Sequence, residues 1–250
     1  MAAASRWVED RPGFFRLTVA ATNCYLVKTV EGVTLIDGGL PASGGLLDEL
    51  LRYLGLARRN IDALILTHGH FDHAGLARAL RAEGVPVHVH ADDRRLARHP
   101  YSYRPAAARV PYLLGHPGGL PFIGRMAAAG ALAVRGVDAD ATMRDREVID
   151  VPGRPTVLHT PGHTDGHCAF LFASHNILVS GDALVTLDPY TGVSGPQIVA
   201  DAATADAAAS LRSLEVLQQT DAAVVLPGHG EPWTRGVGAA AQRARIVGRH

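Results

Sequence analysis

The sequence predicts an α/β protein with mixed sheets, and three observations carry that prediction. Short apolar runs of strand length alternate with segments whose leucines recur at helical spacing. Hairpin-like pairs of runs occur in both halves, so parallel and antiparallel pairing are expected together. Four of the runs end in a short loop carrying His or Asp, and α/β folds build their sites where strand ends gather loops.

Taken in order, residues 14–19, 24–29 and 33–36 read as strands, punctuated by Gly32 and the Asp37-Gly38-Gly39 turn. A helix is expected from about Ser43 to Leu54, with Ser43 as N-cap and Leu46, Leu47, Leu50, Leu51 and Leu54 on one stripe. Residues 61–66 form a strand running into THGHFDHAG, residues 74–82 a short helix, and residues 85–90 a strand. About 91–135 is rich in Pro, Gly, Ala, Arg and Tyr, and reads as a mostly helical insertion within a single domain spanning 1–250. Strands are then expected at 147–151, 156–159, 168–172 and 177–180, a helix at 204–218, a strand at 222–226 and a closing helix at 238–247.

Composition narrows the function classes. Lys plus Arg equals Asp plus Glu at 24 each, which argues against nucleic acid as the main partner. Lys28 is the only lysine, so Schiff-base chemistry has one candidate in an unremarkable strand. Cys24 and Cys168 lie in apolar runs and read as buried reduced thiols. The charged start lacks the apolar core of a signal peptide, and no run approaches the ~20 apolar residues of a membrane span. A cytoplasmic protein acting on a small molecule is the expectation, with no membrane partner.

The chemistry sits in the strand-end loops. DALILTHGHFDH offers His68, His70, Asp72 and His73; TVLHTPGH offers His163; ILVSGD offers Asp182; AVVLPGHG offers His229. Imidazole and carboxylate suit zinc and other borderline divalent metals. His68 and His70 can converge only on an irregular turn, for which Gly69 would supply backbone freedom. Asp72 and His73 are adjacent and point apart, which suits two metals. Seven ligands exceed the needs of one tetrahedral ion but fit two that share a carboxylate and leave a position for water. His159 and His167 flank His163 and either support it or are structural.

THGHFDH, with His163, Asp182 and His229, resembles the metallo-β-lactamase superfamily in its glyoxalase II-like and lactonase-like branch, from about Cys24 to His229. The resemblance implies a four-layer αββα sandwich of two mixed β-sheets with metals at one edge. It implies that His68, His70 and His163 hold one ion, that Asp72, His73 and His229 hold the other, and that Asp182 bridges them. Asp37, in LIDGG, matches a buried Asp that supports the ligands. Asp182 and the charged start argue against antibiotic hydrolysis as the natural task. The short segment after His229 argues against glutathione thioesters. Lactonases often place a Tyr just after the bridging Asp; here Val185 is nearby and the first Tyr is Tyr190.

The chemistry expected is metal-assisted hydrolysis of an ester, thioester or lactone. Two divalent ions, zinc first and manganese or iron as alternatives, would bring a bridging water to hydroxide near neutral pH, and the hydroxide would attack the carbonyl. Asp72 would orient it and pass a proton to the leaving group. Tyr101, Tyr103, Tyr112, Leu113, Leu114, Leu120, Phe122, Ile123 and Met126 of the insertion would wall an apolar acyl or aromatic substrate, with Tyr190 shaping the pocket. Alternatively the insertion is simple packing or a homodimer contact. The competing activity is a mononuclear iron enzyme resembling the superfamily's persulfide dioxygenases, which one iron with oxygen consumption would reveal.

Overall fold

A computed structural model describes residues 6–250. The charged start includes residues 1–5, which lie outside the described residues. Strands β1 (Arg6–Arg11), β2 (Phe14–Val19), β3 (Thr22–Lys28), β4 (Val33–Ile36), β5 (Ala63–Ile65), β6 (Val87–His90) and β7 (Ala141–Met143) form a seven-stranded sheet in that order. It is antiparallel from β1 to β4 and parallel from β4 to β7. Strands β8 (Thr156–His159), β9 (Cys168–Phe172) and β10 (Ile177–Gly181) follow, then a ribbon of β11 (Val185–Leu187) and β12 (Ser194–Gln197), then β13 (Val224–Pro227). The second sheet has the order β13-β10-β9-β8, with only β10 and β13 parallel. The helices are α1 (Ser43–Tyr53), α2 (Ala77–Ala82), α3 (Arg94–Arg98), α4 (Arg109–Gly115), α5 (Leu120–Ala128), α6 (Ala207–Gln218) and α7 (Val237–Val247).

Side-chain alternation along the strands stacks these into layers. On β3, Cys24 and Leu26 face Leu47, Leu50 and Leu51 of α1 and Leu80 of α2. Tyr25 and Val27 face the other way, onto Phe170, Phe172 and Val179 of the second sheet. On β10, Leu178 turns outward to Leu214 and Leu217 of α6 and Ala240 and Ala244 of α7. The result is the αββα sandwich of two mixed sheets. Truncating a fully buried leucine such as Leu50 to alanine costs about 2–5 kcal/mol. Cys24 and Cys168 are free, buried and in different layers, and burial pushes both thiols up in pKa. Among the described residues no helix is long and apolar enough to cross a membrane.

Several local expectations need correction. Ser43 is the first residue of α1, not its cap; its hydroxyl accepts from Leu40 N at 3.2 Å. The helix expected from Thr204 starts at Ala207, where Asp206 caps it by accepting from Ala209 N. Residues 147–151 form no strand. Only Val148 bridges to Thr156; after Ile149 N donates to Pro155 O the chain turns on itself, with Val151 N on Ile149 O and Arg154 N on Val151 O. β1, β7, β11 and β12 were not expected; their residues are polar, short or Gly/Pro-interrupted, without an apolar alternation to read.

Candidate metal centre

The ends of β5, β8, β10 and β13 meet at one edge of the sandwich. Cys168 N donates to Thr67 O across the sheets, Gly228 N to Gly181 O and Asn23 N to Gly228 O. These bonds bring His68, His70, Asp72, His73, His163, Asp182 and His229 together, all buried. Gly69 is needed for proximity and not, as its place between two histidines suggests, for special dihedrals. A Cβ there would stand 2.5 Å from Ala97 N and 2.8 Å from Leu96 C. A Cβ at Gly228 would collide with Asp182 Oδ1.

Four of the five imidazoles are oriented by their outer nitrogen. His73 Nδ1 donates to Asp37 Oδ2 at 2.8 Å, His68 Nδ1 meets Thr67 Oγ1 at 3.0 Å, His163 Nδ1 meets Thr204 Oγ1 at 3.3 Å and His229 Nδ1 donates to Ala21 O at 3.1 Å. All four therefore turn Nε2 inward. His70 is reversed: its Nδ1 lies 3.1 Å from His68 Nε2 and 2.9 Å from His163 Nε2. Asp182 spans the site. Its Oδ2 lies 3.4 Å from His163 Nε2 and 3.2 Å from His229 Nε2, and its Oδ1 lies 3.5 Å from His73 Nε2. Asp72 Oδ2 is 3.4 Å from His229 Nε2.

Two trios could each hold an ion, His68–His70–His163 and Asp72–His73–His229, and a third grouping, His68–His73–Asp182, connects them. Their electrostatics differ. Burial holds the imidazoles of His68 and His70 well below their ordinary pKa and brings His163 to about 4, so this trio presents neutral lone pairs. Burial also works against charge on His229, but the Asp182 and Asp72 carboxylates outweigh it and push it to about 10. Asp182 is likewise desolvated, yet His229 and His73 hold its carboxyl well below the usual range. The second trio thus favours positive charge among its carboxylates. His73 Nε2 and Asp182 Oδ1 are buried without a hydrogen-bond partner among the described residues, as a pair of lone-pair donors to a cation would be. The donor set fits divalent metals.

The supporting contacts are themselves buried. Asp37 also accepts from Thr67 N at 2.7 Å and Thr67 Oγ1 at 2.8 Å. It sits at φ 60°, a region Asp tolerates better than most residues. His167 Nε2 accepts from Asp182 N at 2.9 Å, while His159 lies further out, stacked on His90. Sequence reasoning missed Asp93. Its carboxylate accepts from Gly69 N, Thr164 Oγ1 and Gly166 N, each at 2.8 Å. In HADDRR nothing separates it from exposed Asp92 except the fold.

Residues 17–229 match the family model for the metallo-beta-lactamase superfamily. The chain belongs to that superfamily. It is 29% identical over 241 residues to “Probable metallo-hydrolase YflN” of Bacillus subtilis, covering 90% of this chain and 87% of that protein. It is 28% identical over 188 residues to the N-acyl homoserine lactonase of a Bacillus species, covering 66% and 62%. The crystal structure of TTHA1623 in a di-iron-bound form superposes with TM-score 0.61 at 30% identity, covering 89% of this chain and 93% of that one. Superfamily membership and the paired His/Asp clusters make this chain a metal-dependent hydrolase with a binuclear site.

Against His70, Asp72, His163, Asp182 and His229 lies a small cavity of about 10 Å³, room for one water. Tyr190 lines it, with Phe71, Tyr103, Met126, Pro189 and Val199. Tyr101, Tyr112 and Phe122 do not. Tyr101 stacks on Phe71, its hydroxyl donating to Ala131 O and accepting from Val134 N, which pins the chain one layer out. Tyr112 stacks on His116 and packs behind Tyr190. Phe122 faces a separate groove beside Thr18, Ala21 and Trp233.

Proposed function

We propose that this chain hydrolyses an ester, thioester or lactone with an apolar acyl or aromatic part, in the manner of the superfamily's lactonase-like and glyoxalase II-like branch. His68, His70 and His163 hold one divalent cation and Asp72, His73 and His229 the other. Asp182 lies between them. The observation that carries this reading is the Asp182 carboxylate, which faces His163 and His229 with one oxygen and His73 with the other. When bound, two such cations supply Lewis acidity and a water activated near neutral pH. Zinc suits these donors, and the di-iron form of TTHA1623 supports iron as the alternative.

The chain's own groups do the rest. Asp72, at the cavity floor, orients the attacking water and carries its proton toward the leaving group. Phe71, Met126 and Val199 exclude water around the acyl part. Segment 91–135 is an insertion in one domain and acts as the lid, since a cavity of about 10 Å³ admits no ester until Tyr103 and Met126 move. Resemblance to the N-acyl homoserine lactonase supports a lactone among the substrates.

The test is metal analysis beside a panel of lactones, thioesters and aryl esters. Metal-replete protein is expected to hold about two ions per chain and to hydrolyse members of the panel. One iron per chain with oxygen consumption and no hydrolysis would overturn the reading.

A further inference from the structure

We propose that Arg109 anchors a carboxylate or phosphate carried by the substrate, so that this site serves an anionic acyl compound. The inference rests on the hydrolytic reading above and names its substrate class.

Arg109 Nε and Nη2 are buried and find no hydrogen-bond partner among the described residues. These two nitrogens share one edge of the guanidinium. Their N–H groups run parallel, the fork that matches two oxygens of a carboxylate or phosphate. Arginine cannot shed its proton to relieve burial, so an unfilled fork is a cost that a bound oxyanion removes. Arg16 shows how this chain treats a guanidinium that serves structure alone. Its side chain is buried, and Asp10 and Glu231 meet it at 2.8 and 2.6 Å. Asp201, whose backbone O accepts from Ala107 N, has its carboxylate Oδ2 on Arg249 Nε at 2.6 Å, and its Oδ1, like the Arg109 fork, finds no hydrogen-bond partner among the described residues.

The place is suitable. The guanidinium carbon lies 4.4 Å from the centre of the Tyr103 ring, and the His70 ring lies 3.8 Å from that centre. Tyr103 thus packs against both the guanidinium and a metal-site histidine. Tyr103 is also a wall of the cavity. The segment is tethered to the site: Ala106 N donates to Thr204 O and Ala107 N to Asp201 O, and Thr204 orients His163. When Tyr103 moves to admit substrate, the fork borders the enlarged cavity. A product held there carries one carboxylate freed at the metals and a second anion on Arg109.

Calorimetric titration of the zinc-loaded protein with butyrate, glutarate and 3-phosphonopropanoate tests this. Glutarate is expected to bind at least about tenfold tighter than butyrate, as a charge-assisted fork provides. Arg109→Gln should abolish that preference. Arg109→Lys, the safeguard if the first variant misfolds, should lose the preference for glutarate and keep part of that for the phosphonate, since lysine binds phosphate as a point charge. A phosphonate preference above that for glutarate in the wild type assigns a phosphate-bearing substrate, and the reverse a carboxylate-bearing one. Equal binding of butyrate and glutarate to the wild type, or a preference that survives Arg109→Gln, overturns the anchor. Hydrolysis of the ester panel without a glutarate preference removes the anchor and leaves the hydrolytic reading; a preference without hydrolysis does the reverse.

Discussion

The two halves of the sandwich deliver their groups to the centre in different ways. The first sheet supplies His68, His70, Asp72 and His73 from the single loop after β5. The second supplies His163, Asp182 and His229 one at a time, from the ends of β8, β10 and β13. The anchoring follows the same division. Asp37 ties the first loop to itself through Thr67 and His73, whereas His167, Thr204 and Ala21 each steady one ligand of the second half. Asp93 joins the halves, taking Gly69 from one and Thr164 and Gly166 from the other. A concentrated loop can be held by one buried carboxylate; dispersed ligands need an anchor each.

The largest expected effects fall where the halves meet chemically. Asp72→Asn, assayed at saturating metal because it also weakens a ligand of the Asp72–His73–His229 trio, should lower kcat/KM by about 10²–10⁴-fold, the loss expected of a proton-carrying group. Asp182→Ala should lose or weaken one metal while the fold survives, because Ala removes the charge that screens two cations from each other. Elemental analysis beside kinetics separates the two variants. A fully active Asp182→Ala protein with both metals would remove Asp182 from between them.

Next come the anchors, which bear directly on the comparison. Asp37→Ala should weaken the metal of the Asp72–His73–His229 trio by about 10–100-fold and leave the other trio closer to wild type. Asp93→Ala should weaken both. It also strands three donors, Gly69 N, Thr164 Oγ1 and Gly166 N, and should cost at least about 2 kcal/mol in denaturant unfolding. Equal loss at both metals in Asp37→Ala would mean that Asp37 acts through Thr67 on His68 as strongly as it acts on His73.

The same division explains what was legible in the sequence. Four ligands within six positions make a pattern that needs no fold to be noticed. The single ligands of the second half were found because each follows an apolar run of strand length. Asp93 carries no such signature, and its role arises only because α3 approaches Gly69 closely enough to exclude a Cβ. β3 and β10 were readable as apolar runs of strand length, while β12, with the sequence SGPQ, is a strand by its pairing with β11 alone. In 91–135 composition indicated a wall of aromatic and apolar groups, but which of them face the cavity depends on tertiary hydrogen bonds such as those of the Tyr101 hydroxyl.

That wall gives the next prediction. Tyr103→Ala should change the ratio of kcat/KM for long-chain and short-chain esters by about 10–200-fold, the range a lost pocket contact commands. Phe122→Ala, outside the cavity, should change that ratio far less. Equal effects from the two would mean that the segment is packing and not a lid.

The smallest effect is expected at a carboxylate that resembles Asp93 in its contacts but not in its setting. Asp140 accepts from Val87 N at 3.0 Å and pairs with Arg81 Nη2 at 2.8 Å, so it too ties separate segments together. Unlike Asp93 it lies at the surface, where water and salt screen the pair. The hydrogen bond from Arg81 is the main cause of its lowered pKa. A carboxyl lowered in the folded state stabilises above its unfolded pKa of about 3.9, and that contribution disappears as pH falls through the folded value. Asp140→Ala should therefore lower the melting temperature by no more than about 2 °C near neutral pH. The gap from wild type should close in acid, and high salt should narrow it at pH 7. Asp93→Ala should show a larger gap that salt does not narrow, because its partners are two backbone N–H groups and a hydroxyl held away from solvent. Matching salt responses in the two variants would mean that burial does not distinguish these carboxylates.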